Sequence, residues 1–375
     1  MTPDPAILFT PLTIGRTTLR NRWVMPAMQR GMCEGGAPTA ELAAYYARRA
    51  QGGVALVIGE SAAIDHPSAT VQPTAARLTQ ATRDGWARCV DGVRAAGGEM
   101  LLQLWHEGAM RTDGEALSPS GLAHPGKPSG RAATQEELAE ICDGFVRSAL
   151  IAQSIGAAGV EVHAAHGYFL DQFLWHGTNV RQDGYGGPDM AQRARFPAEI
   201  VAAIRAECGP DFLISLRFSQ WKEVDFAARV APAPEDLATL ATLLRDAGAD
   251  VLHASTRRFW EPEWAGDPRN LAGWTRACGL PVITVGSVGL DTDVMDVFMR
   301  GVDPGPRVAQ AVDELAAGMA AGHYDMVAVG RALIGDADFV AKVADGNYGA
   351  IRTFRRDDLG KLEWDLSIVE EAHSA

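Results

Sequence analysis

The sequence predicts an α/β fold, a (β/α)8 TIM barrel, from three observations. Strand-length apolar runs alternate with helix-length amphipathic stretches over residues 23–345. Eight such pairs follow one another. The strand candidates are continuously apolar, as parallel strands covered on both faces are. An open doubly wound sheet is the competing topology. It would be favoured by a G-x-G-x-x-G turn after the first strand, where the chain reads Pro26-Ala27-Met28-Gln29-Arg30 instead. One barrel domain over residues 1–375 is expected, ending in a surface arm over 346–375.

Residues 7–22 form two short segments around Gly15, a hairpin ahead of the barrel. Residues 23–28 are the first strand. Residues 39–50 are a helix behind Pro38, stopped by Gly52-Gly53. Residues 54–59 are the second strand. Residues 84–96 align Trp86, Val90 and Val93 on one helical face. Residues 100–105 are the third strand. Thr134 and Glu137 make a capping box for a helix carrying Leu138, Ile141, Phe145, Ala149 and Ala152. Residues 160–164 are the fourth strand. Met190–Cys208 is helical, with Pro197 marking a kink or a later start. Strand five is 212–218, followed by a helix at 234–247. Strand six is 250–254, with a short helix at 271–278. Strand seven is 281–285, with a helix at 308–321. Strand eight is 326–329, with a last helix at 336–344. Two excursions, 107–131 and 256–270, leave strand C-terminal ends and should cover the mouth.

The chain has 375 residues and a net charge of −13, from 34 basic and 47 acidic residues. That balance argues against a nucleic-acid partner, since no basic excess exists to neutralise phosphates. Cys33, Cys89, Cys142, Cys208 and Cys278 are widely spaced, so zinc and iron–sulphur sites are not expected. The first residues lack a signal-peptide pattern, and no apolar run reaches transmembrane length. A cytoplasmic protein acting on a small molecule is expected.

Strand ends carry the polar residues. They are Gln29; Glu60 and Ser61; Gln103 and His106; His163, His166 and Tyr168; Arg217 and Gln220; His253, Ser255 and Arg257; Gly286 and Ser287; and Gly330 and Arg331. Gly286-Ser287 and Gly330-Arg331 follow strands seven and eight, where barrels often bind phosphate. Tight turns alone would also explain the glycines. Arg217 needs an anionic partner in a covered site, either a protein carboxylate or a ligand that becomes anionic. His163-x-x-His166 could also be read as a metal pair.

These residues lead to a resemblance. Leu8-Phe9-Thr10-Pro11 with Leu19-Arg20-Asn21-Arg22, Gln103-Leu104-Trp105-His106, and His163-Ala164-Ala165-His166-Gly167-Tyr168 stand in the order of the Old Yellow Enzyme family. So do Asn179 to Gly187, Leu216-Arg217 and Val329-Gly330-Arg331. The chain resembles these FMN-dependent ene reductases over roughly 340 residues. The resemblance implies FMN at the mouth and NADPH or NADH as reductant. It places Pro26, Ala27, Met28, Gln29 and Ser61 beside the flavin, with Gln103 on its pyrimidine edge and Arg217 near N1. Gly286, Ser287, Gly330 and Arg331 would hold the phosphate. Hydride would pass from flavin N5 to the β-carbon of an activated alkene. His163 and His166 would bind the substrate carbonyl, and Tyr168 would protonate the α-carbon. Relatives are often dimers or higher, so a homo-oligomer is compatible.

The sequence departs from the family at Gln29, where threonine or cysteine is common. Gly31 and Met32 stand where some relatives have a substrate-binding tyrosine, and no arginine follows His106-Glu107-Gly108-Ala109 as it does in some. Trp105, Trp175, Trp260 and Trp264 are candidates for a reshaped pocket. The alternative function is an FMN-dependent amine dehydrogenase or demethylase on the same barrel. Related barrels with a cluster-binding domain carry clustered cysteines, which this chain lacks, and it ends too early to hold that domain. A flavin-binding protein without turnover is a third reading.

Overall fold

The computed structural model describes residues 4–113 and 115–363. Gly114 and the end of the expected arm, residues 364–375, lie outside the described residues. Eight strands form a closed barrel: β1 Trp23–Met25, β2 Leu56–Ala63, β3 Glu99–Trp105, β4 Gly159–His166, β5 Leu213–Lys222, β6 Val251–Ser255, β7 Val282–Val285 and β8 Met326–Ala328. Each pairs in parallel with the next, and β8 closes on β1. The principal outer helices are α1 Ala40–Gln51, α2 Arg83–Ala95, α3 Gln135–Ser154, α4 Met190–Cys208, α5 Pro234–Asp246, α6 Leu271–Thr275, α7 Val308–Ala320 and α8 Phe339–Ala344. This is the expected TIM barrel.

The apolar faces read from the sequence are those that pack. Trp86, Val90 and Val93 of α2 are buried, as are Leu138, Ile141, Phe145, Ala149 and Ala152 of α3. Thr134 accepts from Glu137 N (3.2 Å), and Glu137 returns a carboxylate to Thr134 N (2.9 Å), completing the capping box. The hairpin pairs Leu12–Ile14 with Thr17–Leu19 around Gly15, at φ +56°. Its Ile14 and Leu19 join Val24, Leu101, Leu213, Val251 and Met326 in the barrel's inner core. Gly159 starts β4 because a Cβ there would lie 2.1 Å from Leu213 O.

Several boundaries differ from the expectations. β1 ends at Met25, since Pro26 has no N–H for a ladder. β5 runs on to Lys222. α4 is one helix from Met190, so Pro197 does not delay its start. The expected last helix, 336–344, begins only at Phe339 as α8, and a separate helix, Arg331–Gly335, precedes it. Val294–Arg300 is a helix absent from the sequence reading, capped by Asp293 accepting from Met295 N and Asp296 N. The described part of the arm is more than a surface wrap. Phe354 is fully buried, and Arg30 Nη2 donates to the carbonyls of Asp358 (3.1 Å) and Lys361. Among the described residues no helix is long and apolar enough to cross a membrane.

Candidate active site at the barrel mouth

Strand ends converge on one cavity of ≈ 310 Å³. Pro26, Ala27, Met28 and Gln29 reach it after β1, and His163, His166 and Tyr168 from the end of β4. Arg217 and Trp221 of β5, Ser255, Thr256 and Arg257 after β6, Gly286 and Ser287 after β7, and Gly330 and Arg331 after β8 complete the ring. Glu223 and Leu359 also line it.

Ser61 and Gln103 are not on that wall. Gln103 is fully buried, donates Nε2 to Glu161 Oε1 (2.8 Å) and accepts from Ser61 Oγ at Oε1 (2.5 Å). Each end of the amide thus has one partner below the mouth and keeps one further N–H and one further lone pair. Other strand-end residues are drawn away too. Glu60 accepts from Arg30 N (2.9 Å), and His106 bonds Ser68 Oγ (2.8 Å) while stacking on Phe169. Gln220 bonds the backbone of Ala231, and His253 donates Nδ1–H to Glu161 (2.8 Å). Among the described residues the 107–131 excursion gives the wall nothing, whereas Thr256 and Arg257 come from the other excursion. None of the four tryptophans singled out from sequence lines the cavity. Trp105 instead packs edge-on to Tyr168, with centroids 5.4 Å apart.

A register shift between Ala164 and His166 shapes the active wall. Ala164 pairs with Phe218 but His166 with Lys222, so β5 carries extra residues over the mouth. His166 takes φ +64°, and its N–H donates to Ser219 Oγ (2.9 Å). Just behind, Lys222 Nζ pairs with Asp171 (2.8 Å), both fully buried. Asp171 also accepts from Gly167 N (2.6 Å), and Lys222 from β5 donates to the carbonyls of Ser219 and Gln220. The pair thus pins the HAAHGY turn to β5. His166 and Ser287 (φ +50°) are the non-glycine residues with left-handed backbone among those described, and both line the cavity.

His163 and His166 sit edge to face, 5.3 Å between centroids, and Tyr168 lies 5.4 Å from His163. Burial, helped by the Arg217 charge, lowers the His163 pKa to about 3 and that of His166 well below its usual value. Both imidazoles are neutral near pH 7. Nδ1 of His163 is buried without a partner. Burial raises the Tyr168 pKa, and so do the Glu223 and Glu107 charges, so the phenol keeps its proton.

Two arginines make the rest of the wall cationic, Arg217 next to His163 on the neighbouring strand and Arg331 after β8. Arg217 is 9% exposed; it contacts Ala27 O (3.3 Å) and Ser255 Oγ (3.2 Å), and its Nε has no partner. Glu161 lies below it, but Gln103, Ser215 and His253 occupy its oxygens. Burial pushes the Glu161 pKa up. His253, Arg217 and the hydrogen bonds outweigh that and bring it to about 2. Arg331 donates to Ser287 Oγ (2.9 Å) and Thr292 O (2.7 Å), and its Nη1 is buried without a partner. Burial lowers its pKa to about 10, against the raising effect of Asp293 and Asp291, so it remains charged. At Gly286 (φ +151°) a Cβ would lie 2.8 Å from Thr256 O.

A parallel barrel with unsatisfied guanidinium groups in its mouth fits a bound anionic cofactor. Residues 7–304 match the NADH:flavin oxidoreductase / NADH oxidase family, and the chain belongs to it. This is the Old Yellow Enzyme family of oxidoreductases, with FMN as cofactor and a nicotinamide as reductant. The NADH oxidase of Thermoanaerobacter brockii is 32% identical over 92% of this chain and 52% of its own length. Cinnamate reductase of Clostridium sporogenes is 30% identical over 92% of this chain and 54% of its own. The chain spans about half the length of these curated relatives. Morphinone reductase superposes with a TM-score of 0.77 and 26% identity, covering 96% of this chain and 93% of that one.

Trp221, Glu223 and Leu359 were missed from sequence. The first two follow from the register shift on β5. Carrying the strand alternation past Phe218 would have brought Trp221 to the mouth. Leu359 has no local signal, because a distant arm brings it there.

Proposed function

We propose that the protein is an ene reductase acting on alkenes conjugated to a carbonyl or nitro group. The observation that carries this is one wall holding two neutral imidazoles and a protonated phenol, with Arg217 beside His163 on the neighbouring strand. Arg331, Ser287, Gly286 and Gly330 would hold the FMN phosphate. Arg217 would balance negative charge on the ring, with Pro26, Ala27, Met28 and Gln29 alongside. When bound, FMN supplies the hydride to the β-carbon, replenished from NADPH or NADH.

The chain's own residues do the rest. His163 and His166 donate N–H groups to the substrate's carbonyl oxygen and stabilise the charge that develops there. Neutral imidazoles suit this, since Arg217 already makes the site cationic. Tyr168 gives its Oη proton to the α-carbon as general acid. Ser61 and Gln103 brace one another and Glu161 beneath the site, and the second N–H of the Gln103 amide would meet the pyrimidine edge of the flavin.

The test is an anaerobic titration of the nicotinamide-reduced holoprotein against a panel of enones, nitroalkenes and methylamines. Reoxidation by the alkenes is expected. Reduction of the oxidised protein by methylamines, with no response to alkenes, would assign it to amine oxidation instead.

A further inference from the structure

The geometry points to Glu223 as the group through which Tyr168 recovers its proton from solvent. This rests on the reading of Tyr168 as the proton donor. Tyr168 Oη has one hydrogen-bond partner among the described residues, Glu223 Oε2 at 3.4 Å. Both side chains line the cavity. Tyr168 is half-buried behind Trp105 and His163, whereas Glu223 is exposed at the rim. A proton reaching the phenol therefore has a carboxyl group on its way.

The other groups facing this corner are unsuited to the task. His163 and His166 are buried, held neutral by burial and by Arg217. Lys222 points inward to Asp171. Glu107 has its oxygens on Thr70 (2.7 Å) and Gln72 (2.7 Å). Asp225 lies beside His124 (3.7 Å) and accepts from Ala227 N (2.9 Å). Arg217 and Arg257, also on the wall, are permanent cations. Glu223 is the remaining acid. Although the residue is exposed, its carboxyl end turns into the cavity, and burial of that end raises its pKa above the usual carboxylate value.

The proton balance is simple. As the α-carbon takes the Tyr168 Oη proton, a C–H bond forms and an O–H bond breaks. The tyrosinate then takes the proton of the Glu223 carboxylic acid. The carboxylate is reprotonated by bulk water at the rim. When Glu223 is ionised, Tyr168 donates its hydrogen bond to the carboxylate and is turned from the substrate. Alkene-driven reoxidation should therefore fall as pH rises through the Glu223 pKa.

Glu223→Gln keeps the shape and removes the proton. The experiment follows both half-reactions and repeated turnover anaerobically in FMN-loaded parent, E223Q and Y168F, from pH 5 to 9. A phenol difference titration of the same proteins accompanies it. E223Q is expected to slow repeated turnover on 2-cyclohexenone, in which Tyr168 must be reprotonated every cycle, at least tenfold more than it slows reduction by the nicotinamide. It should also abolish the fall with rising pH, and Tyr168 should ionise at a lower pH once the neighbouring negative charge is gone. Parent-like repeated turnover with the same pH profile in E223Q, beside a slow Y168F, would overturn the relay and leave Tyr168 as donor. Fast reoxidation in Y168F would overturn both. An unmoved Tyr168 titration in E223Q would show that the two groups are not coupled.

Discussion

His163, His166 and Tyr168 act through protonation states that burial sets. Tyr168→Phe removes the proton and little else, so alkene-driven reoxidation should slow by about 10²-fold or more while nicotinamide-driven reduction changes far less. Rapid-mixing absorbance of the two half-reactions reads this directly. His163 is neutral above about pH 3, so its protonation should produce no change in alkene turnover between pH 5 and 8. An alkene kcat/KM profile that rises through pH 6.5 in the parent and is flat in His163→Asn would contradict that. At this scale the sequence was informative because HAAHGY lies at a strand end, where polar side chains must face the mouth. The sequence did not show that Gln103 and Ser61 bond each other and Glu161 and stand off the cavity wall. Both follow the same strand logic, but Glu161 captures them one layer down, and such a cross-strand partner is invisible without the register.

The strands and helices hold these side chains through a few close contacts. Lys222→Ala should leave Asp171 as an unpaired buried carboxylate and cost about 3–5 kcal/mol in denaturant unfolding. Replacing both partners by apolar residues should cost less than the two single changes summed. The turn carrying His166 would lose its anchor in each case, so alkene turnover should suffer more than FMN retention. Gly159→Ala should also destabilise the barrel, because its Cβ would meet the Leu213 carbonyl between β4 and β5. Thermal unfolding of the FMN-loaded protein checks it. Helices α2 and α3 were legible because their apolar spacing is local. The end of β5 and the Val294–Arg300 helix were not. The first depends on a register shift. The second is a short element whose cap, Asp293, also pairs with Arg257 (2.5 Å).

Over the whole molecule, burial of histidines links stability to pH. His106 and His163 have folded pKa values of about 3, against an ordinary 6.5, and His166 is also strongly lowered. Between those limits the unfolded chain binds more protons than the folded one. Stability should therefore be fully present above pH 6.5 and fall as pH drops towards 3, by about 1.4 kcal/mol per pH unit for each histidine. Urea midpoints of the holoprotein at pH 7 and pH 5 test the sign. The barrel itself was readable from eight alternations, whereas the arm's burial of Phe354 depends on contacts far along the chain. The central claim is that this mouth delivers hydride and proton across an activated C=C bond. Its most direct measurement is a single anaerobic turnover: reduce the FMN-loaded protein with one equivalent of NADPH or NADH, add 2-cyclohexenone, and quantify flavin spectrum and product. One cyclohexanone per flavin, with full return of the oxidised spectrum, is predicted. A spectrum that stays bleached with the enone present and no cyclohexanone formed would contradict it.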